Sequence, residues 1–284
     1  MADRPRALRE TAHAKINLAL HVRERLPDGY HRIETLFAFC EDGDVLEAEP
    51  ADGLGLTIDG PFADGLSAGD GNLVIQAAER LRAERAPEAG ARIRLTKNLP
   101  IASGIGGGSA DAAATLRLLT RLWDLPADDP SLAAIAARLG ADVPACLLSR
   151  TCRGDGKGDD LVPVELADTA GSAVLLVNPG VAVPTGPVFA GWDGQDRGGL
   201  SLDDPPRLDS AWRNDLAAPA RAAYPAIGDV LTALEARSAA RFVRMSGSGA
   251  TCFALFDGDA DRDAAAETIA RGHPGWWMLR SRLL

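Results

Sequence analysis

The chain has 284 residues, 46% of them hydrophobic and 25% charged, enough for one large or two moderate globular domains. No apolar run approaches the roughly 18 residues of a membrane helix. A formal net charge of −10 argues against a nucleic-acid binder and requires any anion site to be locally basic.

Met1 to Glu10 is charged and shows no signal-peptide hydrophobic segment, and Cys40, Cys146, Cys152 and Cys252 lack the spacing of a zinc site or disulfide frame. A cytoplasmic protein is expected. Only three of the 30 basic residues are lysine, namely Lys15, Lys97 and Lys157. A chain this rich in arginine keeps lysine where a compact ammonium is needed and a planar guanidinium does not fit.

Thr11 to Val22 alternates as a β-strand does, placing Lys15, Asn17 and Ala19 on one face. That face is compatible with solvent or with a site. Pro27-Asp28-Gly29 marks a turn, with Tyr30-His31 directly after it. Arg32 to Cys40 is apolar, Glu41-Asp42-Gly43-Asp44 reads as a turn, and Val45 to Glu49 as a strand. A glycine- and aspartate-rich section follows around a short strand at Leu54–Ile58, and Asn72 caps a helix over Leu73–Arg85.

Ala91 to Lys97 is a half-buried strand, and behind it stands Leu99-Pro100-Ile101-Ala102-Ser103-Gly104-Ile105-Gly106-Gly107-Gly108-Ser109-Ala110-Asp111, running into a helix-forming stretch up to Trp123. Glycines let a backbone approach an anion closely, and a helix start offers unpaired N–H groups and a positive dipole end. The expected ligand is phosphate. A Walker loop needs a lysine after the glycines, and a dinucleotide fingerprint needs a third glycine where Ser109 stands. Neither fits. A third kind of phosphate loop is implied, although a plain glycine turn has the same composition.

Asp129-Pro130 opens a helix that ends at Leu139-Gly140. Asp142 precedes a short apolar segment, either as a helix cap or as a carboxylate aimed into a cleft. Residues 150–160 form a turn-rich break, where a domain boundary is placed. Beyond it lie a strand at Ala173–Asn178, a Gly-, Asp- and Pro-rich span from Trp192 to Asp209 that reads as mobile, and helices near Asp215–Ala223 and Ile227–Ala236. The strand Phe242–Met245, the turn Ser246-Gly247-Ser248-Gly249-Ala250, the strand Thr251–Phe256, a helix at Asp259–Ala270 and a strand at Trp276–Leu279 complete an α+β pattern.

Three stretches in this order, Ala14-Lys15-Ile16-Asn17-Leu18, Pro100 to Ala110 and Ser246 to Ala250, resemble the GHMP small-molecule kinases. Asp28-Gly29-Tyr30-His31, Leu139-Gly140-Ala141-Asp142-Val143-Pro144 and Pro179-Gly180-Val181 leading to Pro184-Thr185 are similar to the branch that acts on a cytidine-diphosphate-linked methylerythritol. The resemblance implies a two-domain α+β fold, divided into residues 1–158 and 159–284, with the active-site cleft between the domains. It implies phosphoryl transfer from ATP to a tertiary hydroxyl in isoprenoid precursor synthesis, with Mg²⁺ as companion ion. Asp142 would be the base and Lys15 its ammonium partner.

By the same resemblance, ATP would be bound by Asn72, Lys97 and the loop Pro100, Ile101, Ala102, Ser103, Gly104, Ile105, Gly106, Gly107, Gly108, Ser109 and Ala110, with Ser109 near the phosphates or the metal. Tyr30 and Phe189 would sandwich the cytosine while Asn17 and His31 make polar contacts. Lys157 receives no role. His13 stands where proline is expected, and Ser246 and Ser248 where threonines are frequent; neither change removes a charged group. The alternatives are a homoserine- or mevalonate-type kinase of the same superfamily, or a non-catalytic nucleotide-binding protein. The partner is a small molecule rather than nucleic acid or membrane, and the chain is a monomer or homodimer.

Overall fold

The computed structural model describes residues 7–284, so residues 1–6 of the N-terminal reading lie outside the described part. The chain forms two compact units that are not consecutive in sequence. One takes the residues up to Ala14, Asp42–Ile101 and Gly106–Ser149; the other takes Lys15–Glu41, Ala102–Ile105 and Arg150–Leu284. Two long strands, β1 (Leu8–Arg25) and β2 (His31–Pro50), pair with each other, and each has one end in either unit.

In the first unit, β3 (Leu54–Asp59) runs parallel to β4 (Ala91–Thr96), and β4 pairs antiparallel with the end of β2, Val45 opposite Thr96. Helix α1 (Leu73–Arg85) begins at Asn72, whose Oδ1 accepts from the N–H of Val74 at 2.9 Å as expected of an N-cap. It buries Val74, Ile75, Ala77, Ala78 and Leu81 and packs on α2 (Gly107–Leu122), which buries Leu116, Leu118 and Leu119. Asp124, at φ 51, follows the α2 terminus in a left-handed conformation that no regular helix accommodates. Helix α3 (Pro130–Leu139) starts from the Asp129 cap with proline at N1, and α4 (Val143–Leu148) follows, packed on α2 and α3.

The expected turn at Glu41–Asp44 is not one: β2 passes straight through it. A Cβ on Gly43 would stand 1.9 Å from the carbonyl oxygen of Ala12, so glycine serves a close strand approach there rather than a reversal. Asp44 is fully buried and takes hydrogen bonds from the backbone N–H groups of Asn98 and Leu99. A polar run can stay in a strand when its carboxylate finds such internal donors.

In the second unit the first part of β2 pairs with β5 (Cys152–Asp155), and β5 with β6 (Asp160–Pro163). The expected break at 150–160 is therefore a hairpin, turned at Gly156 (φ 70) and Gly158 (φ 91). A four-stranded antiparallel sheet runs in the order β10 (Trp277–Arg282), β7 (Ala173–Asn178), β9 (Cys252–Phe256), β8 (Phe242–Met245). Against it pack α7 (Ala226–Glu235) and α8 (Asp259–Gly272), with α6 (Ala217–Ala223) beside α7 and α5 (Thr185–Ala190) beside α6. Leu175, Val177, Ala254 and Phe256 share a core with Leu20 and Val22 of β1 and Ile33 of β2. The span 192–209 has no helix or strand, but it is anchored: Trp192 and Leu200 are buried, and Asp196 pairs with Arg23 at 2.8 Å.

Candidate functional site

Helix α2 starts abruptly in the first unit. Its cap is Gly106, at φ 69, which contributes no side-chain hydrogen bond; the first bonds run along the backbone, Ala110 N–H to Gly106 carbonyl at 2.8 Å. The first-turn N–H groups at Gly107, Gly108 and Ser109 have no acceptor within the helix, and the dipole of a 16-residue helix adds positive potential. A phosphate fits this end. Asn72 lies at the start of α1, held by its cap and by a 2.8 Å bond from its Nδ2 to the Ser67 carbonyl; a Cβ on Gly108 would sit 3.7 Å from Leu73, so the two helix starts adjoin. Pro100 is buried and Ile101 is exposed on the turn before it.

Lys97 is 4% exposed and lies beneath the α2 start, its Nζ 3.5 Å from where a Gly107 Cβ would be. The ammonium donates to Asp44 and, at 2.7 Å, to Asp111. Burial works to lower the Lys97 pKa, but the two carboxylates outweigh it and the net direction is upward. Asp111 is pushed up to about 7, first by burial and then by the neighbouring Asp44, against the pull of Lys97. Two carboxylates around one ammonium favour retention of a proton. Lys97 thus supports the loop from below, with its donors already engaged on the two carboxylates.

Asp142 immediately precedes α4 and is half-buried. Its carboxylate makes no capping hydrogen bond, so capping does not account for it. The far end of that helix is gripped by Arg117 of α2, whose Nη1 donates to the carbonyl of Cys146 at 2.7 Å and to Ser149 Oγ at 3.1 Å, while Nε meets Glu10 at 2.7 Å.

In the second unit, Lys15 and Asn17 face inward on β1, 3% and 2% exposed. The solvent alternative is thereby excluded. Lys15 Nζ donates to Asn17 Oδ1 at 3.2 Å and stands 4.5 Å from the centroid of the Phe37 ring. Asn17 Nδ2 donates to Thr35 Oγ1 at 2.8 Å, and its backbone N–H to Ser246 Oγ at 3.3 Å. The Ala102–Ile105 part of the glycine stretch docks here too: Ser246 Oγ donates to the Gly104 carbonyl at 2.8 Å, Thr251 N–H to the Ser103 carbonyl at 3.1 Å, and Lys15 N–H to the Ile105 carbonyl at 3.0 Å.

His31 opens β2 and is buried against aromatic rings, with centroids 5.1 Å from Phe189 and 5.8 Å from Trp192. Arg25 Nε donates to His31 Nε2 at 3.4 Å. Burial, then the Arg25 charge, holds the imidazole pKa below its ordinary value. Tyr30 is 57% exposed, with the Lys157 ammonium 4.1 Å from its ring centroid. Thr35, Phe37 and Trp192 escaped sequence reasoning. The i, i+2 spacing of Thr35 and Phe37 on a strand was the available signal for two of them.

Residues 72–150 match the GHMP kinases N terminal domain and residues 206–274 the GHMP kinases C terminal domain. A 4-diphosphocytidyl-2-C-methyl-D-erythritol kinase of Rhizorhabdus wittichii is 56% identical over 96% of this chain and 94% of its own length. The enzyme of the same name from Sphingopyxis alaskensis is 55% identical over 97% and 98%. The chain belongs to the 4-diphosphocytidyl-2-C-methyl-D-erythritol kinase family. A crystal structure of 4-(cytidine 5'-diphospho)-2C-methyl-D-erythritol kinase superposes with a TM-score of 0.79 at 34% identity, covering 97% of this chain and 99% of that one. Homoserine kinase from Cytophaga hutchinsonii, at TM-score 0.74, 19% identity and coverage of 98% and 95%, shares the fold of this family.

Proposed function

We propose that this kinase transfers the ATP γ-phosphoryl group to the 2-hydroxyl of 4-diphosphocytidyl-2-C-methyl-D-erythritol. The observation that carries the reading is the 56% identity, over nearly the full length, to a kinase of that name. The uncapped α2 start supports ATP as the donor, and the exposed Tyr30 ring beside a His31 packed on Phe189 and Trp192 supports a planar base on the acceptor.

In this reading a tertiary alcohol is a poor nucleophile, so catalysis is mostly positioning and charge stabilisation. Asp142 accepts the hydroxyl proton as the new O–P bond forms and the bond from the γ-phosphorus to ADP breaks. Lys15 supplies the cation that steadies the charge. The backbone at Gly106, Gly107, Gly108 and Ser109 cradles phosphate, Asn72 and residues 100–105 complete the nucleotide side, and Lys97 acts through the base of α2. Among the described residues no cluster of three or more His, Cys, Asp or Glu is built to hold a metal ion. That fits Mg²⁺, which binds chiefly to nucleotide phosphates with few protein ligands, here the Ser109 hydroxyl. When bound, it would neutralise phosphate charge.

Residues 1–158 and 159–284 are proposed as two functional halves, a division supported by the two family matches falling on either side of it. Among the described residues no helix is long and apolar enough to cross a membrane. The four cysteines are buried and free, which supports a reducing compartment such as the cytoplasm.

The test is ADP release by the purified chain with the cytidylyl substrate, homoserine or mevalonate. Turnover is expected with the cytidylyl substrate alone; preference for either of the others overturns the assignment. Replacing Asp142 with Asn should lower kcat by about 10²- to 10⁴-fold while nucleotide affinity stays unchanged. Retained turnover would remove Asp142 as the base.

A further inference from the structure

Of the three lysines, Lys15 and Lys97 are buried, and only Lys157 reaches solvent. It occupies the tip of the β5–β6 hairpin, yet that tip is firmly seated. Ile33 N–H donates to the Gly156 carbonyl at 2.8 Å, Lys157 N–H to Asp159 Oδ1 at 3.0 Å, and a Cβ on Gly158 would meet Ile33 at 3.3 Å. From this seat the ammonium reaches two groups of the β1–β2 turn. It donates to Asp28 Oδ2 at 2.8 Å, and it lies over the Tyr30 ring at 4.1 Å from the centroid. Asp28 in turn accepts the Tyr30 backbone N–H at 3.0 Å through its other oxygen. One carboxylate therefore fixes both the backbone of Tyr30 and the cation on its ring.

An exposed lysine–aspartate pair by itself contributes little to stability. Placing the cation on an aromatic face is different, because the ring quadrupole holds the ammonium and the ammonium holds the ring. With one face of Tyr30 occupied, the side chain is left with a single free face and reduced rotamer freedom. An aromatic ring already ordered loses less entropy when a flat ligand stacks on it.

We infer that Lys157 is a positioning residue for the pyrimidine end of the acceptor substrate, clamping Tyr30 with Asp28 so that the open ring face receives the base. This rests on the reading above, in which the acceptor carries a cytidylyl group. At Lys157, contrary to the expectation from the scarcity of lysine, an arginine could share the role, since a guanidinium also stacks on aromatic faces.

The experiment is steady-state kinetics with 4-diphosphocytidyl-2-C-methyl-D-erythritol and ATP varied in turn. Lys157→Met should raise KM for the cytidylyl substrate about two- to five-fold, the range of an exposed cation–π contact, with KM for ATP and kcat little changed. Lys157→Arg should restore the wild-type KM. In a Tyr30→Leu background, Lys157→Met should have no further effect. An unchanged substrate KM in Lys157→Met overturns the inference, and so does an effect that persists without Tyr30. Failure of the wild-type chain to use the cytidylyl substrate would instead overturn the functional reading, so the two failures are separable.

Discussion

The bond from Arg25 Nε to His31 Nε2 exists only while the imidazole keeps its lone pair. Protonation would break it and charge a buried imidazole beside the Arg25 guanidinium, which is why burial and then Arg25 lower the His31 pKa. At about pH 7 the ring is neutral. Its folded-state pKa lies below the unfolded value of 6.5, so its contribution to stability is present above that value and is lost as pH falls through the folded pKa. The same protonation should disturb the proposed acceptor site. We expect kcat/KM for the cytidylyl substrate to fall, through a rise in KM, as pH drops through the lowered His31 pKa, and His31→Gln to lack that acid limb. An identical acid limb in the variant assigns the titration to another group. At this scale the sequence singled out residues but was silent about their partners. The scarcity of lysine singled out Lys97, but its partners Asp44 and Asp111 lie 53 and 14 positions away, a distance no local pattern spans. Inward Lys15 was legible only as one of two possible faces, because alternation fixes the partition of side chains and not which side is buried.

Helix α4 is six residues long, too short to be stable by itself, and Asp142 stands at its start. Its orientation depends on contacts at its other end, where Ser149 adopts a left-handed conformation at φ 46 and Arg117 collects the carbonyl of Cys146 and the Ser149 hydroxyl. Since Arg117 belongs to α2, the helix that begins at the proposed phosphate cradle also aligns the proposed base. Arg117→Met should lower kcat about ten- to hundred-fold, as expected when a reacting group is displaced by about 1 Å, with KM for ATP nearly unchanged and partial recovery in Arg117→Lys. A loss of thermal stability with kcat intact would leave Arg117 a purely structural residue. Gly104 constrains the other half of the loop. At φ 77 it is left-handed, and a Cβ there would stand 2.5 Å from the Ser246 carbonyl oxygen and 2.7 Å from that of Gly249. Gly104→Ala should cost about 1–3 kcal/mol or more, read as a lower urea midpoint. Elements with a clear period or cap were legible, such as α1 behind Asn72 and α3 behind Asp129-Pro130. The Glu41–Asp44 segment was not, because only a distant donor set explains a polar run inside a strand.

For the molecule as a whole, the order of the motifs along the chain is a poor guide to how it folds. The core beneath the four-stranded sheet draws Leu20 and Val22 from β1 and Ile33 from β2, more than 130 positions before β7 begins at Ala173. Burying side chains of this size contributes about 1.5–3 kcal/mol each, and a domain's total stability is only about 5–15 kcal/mol. Removing all three therefore takes away an amount comparable to the whole margin. It also exposes an apolar face of β7 and β9 at Leu175, Val177, Ala254 and Phe256. A fragment of residues 159–284 would also lack the Ser103 and Gly104 carbonyls that bond Thr251 and Ser246. The proposed half 159–284 is accordingly not expected to fold by itself. The expected result is that fragment 159–284, expressed alone, shows no cooperative thermal transition by circular dichroism and binds a hydrophobic dye, while the full chain melts cooperatively. A cooperative melt of the fragment, near the full chain's temperature, would show that the contributions of β1 and β2 are dispensable to that core.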